Sequence, residues 1–238
     1  MTFEHLEISG ATGTTPIGNG IECGDAPVGA RVVHLIDMLL ANNSGNNLYS
    51  RGCTISAVRS EFRNAGFAGV ATQDTTGTFD GCSVHDNQGG GIGFDGGLYT
   101  LTNSFVYRNT GGAGINLFAS TTGSRLEFNT VIDNSGGFGG LECNGGSVPS
   151  TLPNNIVARN TPRNTYGNTC TFPSSLLVDS DISQLHFKSP DAAPYDYHLT
   201  AGSIAIDAAT LSTVDHDFDG QARPNGAGRD VGADEYVP

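Results

Sequence analysis

Short apolar stretches recur along this chain at nearly even intervals, and each is followed by an asparagine and then by small residues. Apolar residues occupy most positions three and eight residues before that asparagine and five to seven residues after it, although Ser56 and Glu61 interrupt the pattern. A period of roughly 20–50 residues indicates a repeat architecture. The asparagines that anchor the repeat are Asn43, Asn64, Asn87, Asn109, Asn134 and Asn160.

Each repeat is long enough for about three short strands separated by turns. One such strand buries little surface alone, but copies stacked at a spacing of about 4.8 Å form a continuous parallel sheet. Three strands per repeat then enclose a dry interior. The pattern therefore predicts an all-β fold, a single-stranded parallel β-helix of about seven coils over residues 1–170.

The residues between the apolar stretches fit tight corners. Asparagine tolerates left-handed backbone angles, and at a bend its amide can point inward and bond the backbone of the next coil. Stacked anchors would form a ladder along the solenoid. Glycine makes up 34 of the 238 residues, which disfavours helical and leucine-rich repeats and suits corners that need positive φ.

The repeat fades after residue 170, where Pro173, Pro190 and Pro194 interrupt the chain. An open solenoid end exposes sheet edges that invite aggregation, so residues 171–238 are predicted to form an irregular segment that caps the last coil. The first coil has no comparable cap. We therefore expect upstream coils or self-association through that coil.

Two stretches, "LTNSFVYRNTGGAGINL" (101–117) and "LEFNTVIDNSGGFGGLEC" (126–143), resemble the right-handed parallel β-helix repeats of the pectate-lyase-like superfamily. Near the end, "YHLTAGSIAIDAA" (197–209) and "DFDGQARPNGAGRDVGADEY" (217–236) resemble the C-terminal signature of bacterial choice-of-anchor Q proteins. The first resemblance implies a right-handed solenoid. The second implies a secreted or cell-surface protein of a family whose activity is mostly unassigned.

Charge and cysteine content narrow the function classes. The net charge is −13 with a single lysine, Lys188, which disfavours a nucleic-acid partner. A membrane span needs a run of about 18 apolar residues, and the sequence contains none. The start lacks a secretion signal, so we expect that it was removed. Five cysteines form no C-x-x-C pair, and Cys143 and Cys170 lie one coil apart, where a disulfide can form.

Two outward columns of the repeat carry candidate binding chemistry. Phe62, His85, Tyr107 and Arg108 would form an aromatic patch that stacks on sugar rings, or else an ordinary solvated face. The neighbouring column alternates in charge and predicts ion pairs between coils or a charged groove. Its members are Asn42, Arg63, Asp86, Arg108, Asp133 and Arg159.

The stretch "DHDFDG" places Asp215, Asp217 and Asp219 at alternate positions before a glycine, which matches the first half of a calcium loop. The twelfth position is Gly226, where such a loop needs a bidentate glutamate. A calcium ion (Ca²⁺) would then require a ligand from the later acidic residues Asp230, Asp234 or Glu235. The alternative is an acidic turn held by Arg223 and Arg229.

These observations predict an extracellular or surface module, binding or structural, that associates with a polysaccharide or other glycan. The alternative is a polysaccharide lyase or glycoside hydrolase, for which Asp80, His85, Asp86 and Asp95 are the available cluster in one coil. No physical argument makes that cluster catalytic. An architectural spacer or oligomer-forming module is a third possibility.

Overall fold

Three parallel sheets dominate the computed structural model, which describes residues 1–13, 18–24, 29–119, 123–144 and 150–238. Sheet 1 contains β1 (Thr2–Glu4), β4 (Val32–Ile36), β7 (Thr54–Val58), β10 (Thr76–Asp80), β13 (Leu98–Thr102) and β17 (Arg125–Glu127). Sheet 2 contains β2 (Glu7–Ser9), β5 (Leu39–Ala41), β8 (Glu61–Arg63), β11 (Ser83–His85), β14 (Phe105–Tyr107), β18 (Thr130–Ile132), β22 (Ile156–Ala158) and β25 (Leu176–Val178). Sheet 3 contains β3 (Ile21–Cys23), β6 (Leu48–Arg51), β9 (Val70–Gln73), β12 (Ile92–Asp95), β16 (Ile115–Phe118), β20 (Leu141–Asn144) and β23 (Thr165–Gly167).

Three smaller pairs complete the strands of the described residues. They are β15 (Thr110–Gly111) with β19 (Ser135–Gly136), β21 (Ser150–Thr151) with β24 (Cys170–Thr171), and the antiparallel β26 (Phe187–Ser189) with β27 (Asp196–Leu199). One 3₁₀ turn spans Ser183–Leu185.

Successive coils of the described chain add one strand to each large sheet, and six coils do so for all three sheets. The predicted parallel β-helix of about seven coils is therefore confirmed. Equivalent residues are direct neighbours: Val106 pairs with Val84 on one side and with Val131 on the other. The interior column of sheet 2 is fully buried in its central six strands, where it consists of Leu40, Phe62, Val84, Val106, Val131 and Val157.

The anchor asparagines form the predicted ladder at the corner between sheets 2 and 3. Asn109 donates from Nδ2 to Asn134 Oδ1 (2.9 Å) and to the Val84 carbonyl of the preceding coil (3.0 Å). Its own Oδ1 accepts from Asn87 Nδ2 at 2.8 Å. Asn134 continues to Asn160 at 2.9 Å. Each of these buried amides thus bonds the backbone of the preceding coil and the asparagine side chain of the following coil.

One anchor was assigned one residue too early, at Asn64. Phe62 pairs with Val84, so the residue equivalent to Asn87 is Ala65, and Asn64 is an exposed corner residue with φ of 53°. With this register the apparent interruptions at Ser56 and Glu61 disappear, because Ala57 and Phe62 occupy the two interior columns. The expectation that Phe62 faces outward is wrong for the same reason.

The gap at Ala65 is filled by the preceding coil. Asn47 occupies the position where most coils have a glycine. Its Nδ2 donates to Asn87 Oδ1 (3.3 Å), and its Oδ1 accepts from Asn43 Nδ2 (2.8 Å). Elsewhere that glycine is required by the ladder itself, since a Cβ on Gly114 would stand 2.6 Å from Asn134 Nδ2. The glycine before most sheet-3 strands therefore makes room for the asparagine of the next coil.

A second polar ladder runs along the corner between sheets 1 and 2, and the repeat analysis did not identify it. Ser104 accepts the Cys82 amide at 3.1 Å, and Asn129 accepts the Ser104 amide at 3.1 Å. In the next coils Asn155 accepts the Asn129 amide at 2.9 Å, and Ser175 accepts the Asn155 amide at 3.0 Å. Buried corner amides therefore find acceptors on this side as well.

Four of the five cysteines form cross-coil disulfides. Cys143–Cys170 confirms the predicted pair, and Cys23–Cys53 is a second one. Cys82 is free and buried, and burial raises the pKa of its thiol to about 12. This thiol is therefore protonated and unreactive at neutral pH.

The C-terminal segment lies along the side of the solenoid, which corrects the expected cap over the last coil. The repeat continues to β25, where the inward-facing Leu177 is 48% exposed. The following tail (residues 179–238) covers the outward face of sheet 2, where Phe105, Ile132 and Ile156 are buried. Sheet 2 of the later coils is thus apolar on both faces. The tail residues that pack there include Ile182, Leu185, Phe187, Tyr197, Leu199, Val231 and Ala233.

The other end of the solenoid keeps the exposed apolar residues Met1, Leu6 and Val32 at 78, 52 and 40%. Among the described residues, β1 pairs only with β4 and β2 only with β5. Self-association through this coil stays a prediction.

Substitution Asn134→Ala should destabilise the protein by about 3–4 kcal/mol, because it leaves several buried amide groups of Asn109 and Asn160 without partners at about 1–3 kcal/mol each. Urea unfolding followed by circular dichroism measures the change. The control is Asn64→Gly, which keeps a residue suited to positive φ and should alter stability by less than about 0.5 kcal/mol. Equal losses in the two variants would contradict the ladder and its register.

Candidate functional site

The predicted aromatic patch on sheet 2 is partly assembled. His85 and Tyr107 lie on adjacent strands with ring centroids 4.5 Å apart and ring planes 5° from parallel. Arg108 follows them at the corner, whereas Phe62 is in the interior. Strand alternation separates Phe62 from this face, because it occupies the same inward column as Val84.

The tail covers this patch. Tyr197 packs against Tyr107 at 5.1 Å, and the Arg108 guanidinium lies 3.9 Å from the centroid of the Tyr195 ring. The His85 side chain is only 13% exposed. His85, Tyr107 and Arg108 therefore hold the tail, and little of their surface is open to a ligand.

Hydrogen bonds fix the His85 ring at both nitrogens. Nδ1 lies 2.8 Å from Asp86 Oδ2, and Nε2 lies 3.0 Å from Glu61 Oε1. Burial alone lowers the pKa of His85, but the two carboxylates outweigh burial and the net shift of its pKa is upward. The two acceptors thus stabilise the charged imidazolium form.

The alternating column forms ion pairs between coils. Arg108 Nε lies 3.0 Å from Asp86, and Arg159 Nε lies 2.5 Å from Asp133. Tyr197 donates its hydroxyl to Asp133 at 2.7 Å, so the tail uses this column as well. Arg63 belongs to the strand instead and pairs with Glu61.

The three aspartates of the calcium-like motif diverge in the fold. Asp217 is buried and uses one oxygen on the Gln221 amide (2.7 Å) and the other on the Glu235 amide (3.0 Å). Asp215 is exposed and contacts His216, and Asp219 points toward His198. Because their carboxylates face different partners, the three side chains do not converge on one ion as expected. Calcium binding at Asp215, Asp217 and Asp219 stays a prediction without that geometry.

The acidic residues Asp230 and Glu235, which follow the motif, support the backbone of the tail. Arg223 and Glu235 form a fully buried ion pair at 2.9 Å, and Glu235 also accepts the Asn225 and Asp230 amides. Asp230 accepts the amides of Asp207 and Tyr236 at 2.7 Å each. Burial raises the pKa of Asp230 to about 6. The motif is therefore largely a structural device of the tail.

One group near the motif has metal-ligand character. His198, Asp219 and Asp234 each offer a ligand atom, and these atoms lie within 4.8 Å of one another. Asp234 is 5% exposed, and burial raises its pKa to about 6. This group combines one residue of the predicted motif with two that lie elsewhere in the tail.

The candidate catalytic cluster is dispersed. Asp80 ends a sheet-1 strand and bonds Thr102, Asn103 and His216, and Asp95 is exposed on sheet 3. His85 and Asp86 lie on sheet 2 beside the tail. One coil therefore distributes these four residues around its perimeter, which separates them.

The outward face of sheet 3 forms an open trough that sequence analysis did not identify. Its central column runs along the solenoid axis through Tyr49, Ala71, Gly93, Asn116, Glu142 and Tyr166. Two recesses of about 250 and 200 Å³ meet at Gly93 and Asn116. We call this surface the sheet-3 trough.

Aromatic rings lie at both ends and along the sides of the trough. Tyr49 is at one end, and Phe138 stacks on Tyr166 at the other with ring centroids 4.3 Å apart. Phe118, 43% exposed, lines one recess, and Phe138, also 43% exposed, lines the other. Exposed aromatic residues rimmed by polar groups are typical of interaction surfaces.

The floor of the trough is kept low by a glycine that the fold does not need. Gly93 lies within a strand, its φ is not positive, and an added Cβ would meet only the Val70 carbonyl at 3.9 Å. Glycine weakens a strand and often marks a close approach by a ligand. Beside it, Asn116 Oδ1 is buried and has no hydrogen-bond partner among the described residues.

The sequence of this chain matches that of a known protein family. A family described as "Right handed beta helix region" matches residues 7–180, which is most of the chain and includes every strand of the three sheets except part of the first coil. The chain belongs to the right-handed β-helix family. The expected handedness is thereby supported, and the match ends before most of the tail. The choice-of-anchor Q resemblance of residues 197–236 stays a prediction.

A solved structure with the same right-handed β-helix architecture is "Crystal structure of pectate lyase Pel9A". It is 15% identical to this chain, with a TM-score of 0.52, and the similarity covers 92% of this chain and 70% of the pectate lyase. At this identity the similarity establishes the fold alone. No curated protein matches the sequence. Among the described residues, no helix has the length and apolar character required to cross a membrane.

The contribution of His85 to stability should depend on pH. Because its folded pKa is raised above the ordinary value of about 6.5, its contribution is fully present below that value and is lost as pH rises through the raised pKa. The stability difference between the wild type and His85→Gln should therefore be larger at about pH 6 than at about pH 9. Urea unfolding at both values measures it. The control is the exposed His34→Gln, and a difference at His85 that grows with pH would contradict the assignment.

Proposed function

We propose that this right-handed β-helix is an extracellular or cell-surface module that binds a polysaccharide along the sheet-3 trough. The observation that carries the proposal is the outward column from Tyr49 to Tyr166, with open recesses that meet at Gly93 and Asn116. The two tyrosines are five rungs apart, about 24 Å at sheet spacing. A linear glycan is a ligand that can occupy such a surface over several sugar units.

The chemistry of the trough suits sugar rings. Tyrosine combines an apolar face with a polar hydroxyl, so Tyr49 and Tyr166 can stack on a ring and bond its edge. Between them the polar side chain of Asn116 lines both recesses, Gln73 lines one of them and Glu142 lines the other. A few placed polar groups on a mainly apolar surface are the usual composition of a ligand site.

Charge favours a neutral glycan over an acidic one. Asp95 and Glu142 line the trough recesses, and the whole chain carries a net charge of −13. A polyuronate would meet like charge unless cations intervened. We therefore infer a neutral polysaccharide as the ligand class.

The two disulfides support the proposed compartment. Disulfides form and persist in oxidising environments such as the cell exterior, and four of the five cysteines of this chain are paired.

Catalysis is the alternative function, and the pectate lyase that shares the fold is the observation that favours it. The single lysine, Lys188, belongs to β26 in the tail, away from sheet 3. Binding without bond cleavage is the function that the described side chains of the trough support better.

Substitution Gly93→Val tests the trough directly. Valine favours strands and has space at this position, so the variant should be at least as stable as the wild type while its side chain fills the floor. Affinity for a neutral polysaccharide, chosen from a panel of glucans, mannans and xylans, should fall at least about tenfold, or about 1.4 kcal/mol. Isothermal titration calorimetry measures affinity, and thermal unfolding measures stability.

Two further arms complete this experiment. Ser56→Val places the same side chain on the outward face of sheet 1 and should leave glycan affinity unchanged. Tyr49→Ala should weaken binding as Gly93→Val does. Retained affinity in both trough variants would overturn the proposal. The lyase alternative is tested on the same panel extended with polygalacturonate. Release of unsaturated products, detected by their ultraviolet absorbance, would establish it instead.

A further inference from the structure

We propose that His198, Asp219 and Asp234 form a transition-metal site of the zinc class that fastens the tail. The three ligands come from separate parts of the tail: the strand β27, the loop after Asp217, and the stretch near the C-terminus. A bound ion would therefore cross-link three segments of the tail. This site is distinct from the sheet-3 trough and does not depend on the proposed glycan function.

The orientation of His198 is the observation that carries the site. Its Nδ1 lies 2.5 Å from Asp196 Oδ1, and Lys188 Nζ in turn lies 3.0 Å from Asp196 Oδ2. A metal-ligating histidine almost always donates its other ring N–H to such a carboxylate, which fixes the tautomer and directs the lone pair of Nε2 at the ion. The Asp196–His198 pair has this arrangement.

The other ring nitrogen has no satisfactory partner. His198 Nε2 is buried and makes no hydrogen bond of acceptable geometry with any described residue, although it lies 3.2 Å from Asp219 Oδ2. A buried nitrogen left in this way is costly unless a further partner completes it. A metal ion between Nε2 and the carboxylates would be that partner.

The two carboxylates differ in a way that suits a site which closes on its ion. Asp234 is buried, and its Oδ2 is held by the Leu199 amide at 2.6 Å. Asp219 is exposed and can rotate. Ligand distances of about 2.0–2.2 Å let one zinc ion join atoms that are up to about 4 Å apart, so closing a separation of at most 4.8 Å needs only a small movement.

The ligand types select the metal class. One imidazole nitrogen and two carboxylates suit zinc and related transition metals, whereas calcium takes six to eight oxygen ligands. The rings of Phe105 and Phe218 pack edge-on beside His198, at 5.1 and 5.8 Å, and limit access of water on that side. The surroundings thus include both an orienting carboxylate and an apolar wall.

The test uses the full chain after treatment with a chelator. Zinc chloride alone is titrated by calorimetry, and metal content is measured by mass spectrometry after dialysis. We expect one zinc ion per chain and a higher melting temperature with zinc. Cobalt(II) in place of zinc should give the visible absorption of a site with a nitrogen ligand. Calcium chloride under the same conditions should give neither result.

Three variants distinguish this site from general binding to acidic residues. Asp219→Asn removes an exposed ligand and should abolish stoichiometric zinc binding while the protein stays folded. Asp196→Asn keeps all three ligands and should weaken zinc binding about 10- to 100-fold, the usual effect of losing an orienting carboxylate. The matched control is Asp215→Asn, which makes the same charge change in the same loop beside another histidine, His216, and should leave zinc binding unchanged.

Absence of stoichiometric zinc binding by the wild-type chain would overturn the proposal. So would full zinc affinity in Asp219→Asn, or an equal loss in Asp219→Asn and Asp215→Asn. A calcium-dependent stabilisation without zinc binding would replace it with an all-oxygen site. None of these outcomes bears on glycan binding at Gly93, so the two proposals fail separately.

Discussion

The structure depends on satisfying buried backbone amides at the corners where each coil turns. Within a sheet the ladder of parallel strands pairs these groups, but at a corner they face the interior without a strand partner. The asparagine ladder supplies those partners, because one amide side chain such as Asn109 bonds both the preceding and the following coil. The serine and asparagine ladder at Ser104 and Asn129 does the same on the second corner. The stacking of coils therefore depends on completing these two corners as well as on the sheets.

The same constraint explains the recurring glycine before most sheet-3 strands. The ladder side chain of one coil occupies the space that a Cβ of the previous coil would take, as at Gly114 and Asn134. Where the ladder residue is Ala65, that space is free, and Asn47 replaces the glycine and provides the missing amide. Corner composition and interior packing are therefore coupled between neighbouring coils, which is why the repeat tolerates irregular lengths outside the corners.

The outward faces of the solenoid are used differently. In the later coils, sheet 2 buries Phe105, Ile132 and Ile156 beneath the tail, whose buried Arg223–Glu235 pair organises its own turns. Sheet 3 has no such cover among the described residues, and its central column carries small and aromatic side chains around an open floor. A parallel solenoid offers several long faces at once. This chain assigns one to internal packing and leaves another available for a ligand.

The sequence by itself determined the solenoid, the inward columns, the ladder and the Cys143–Cys170 pair, because each follows from a period that brings equivalent residues together. It misplaced Phe62, since a shift of one residue in an irregular coil exchanges the two faces of a strand. It also left His85 and Tyr107 on an open surface and the tail over the last coil. Only the tertiary structure decided where the tail packs, which aspartates meet His198 and which face stays open, because these contacts join residues that no repeat period relates.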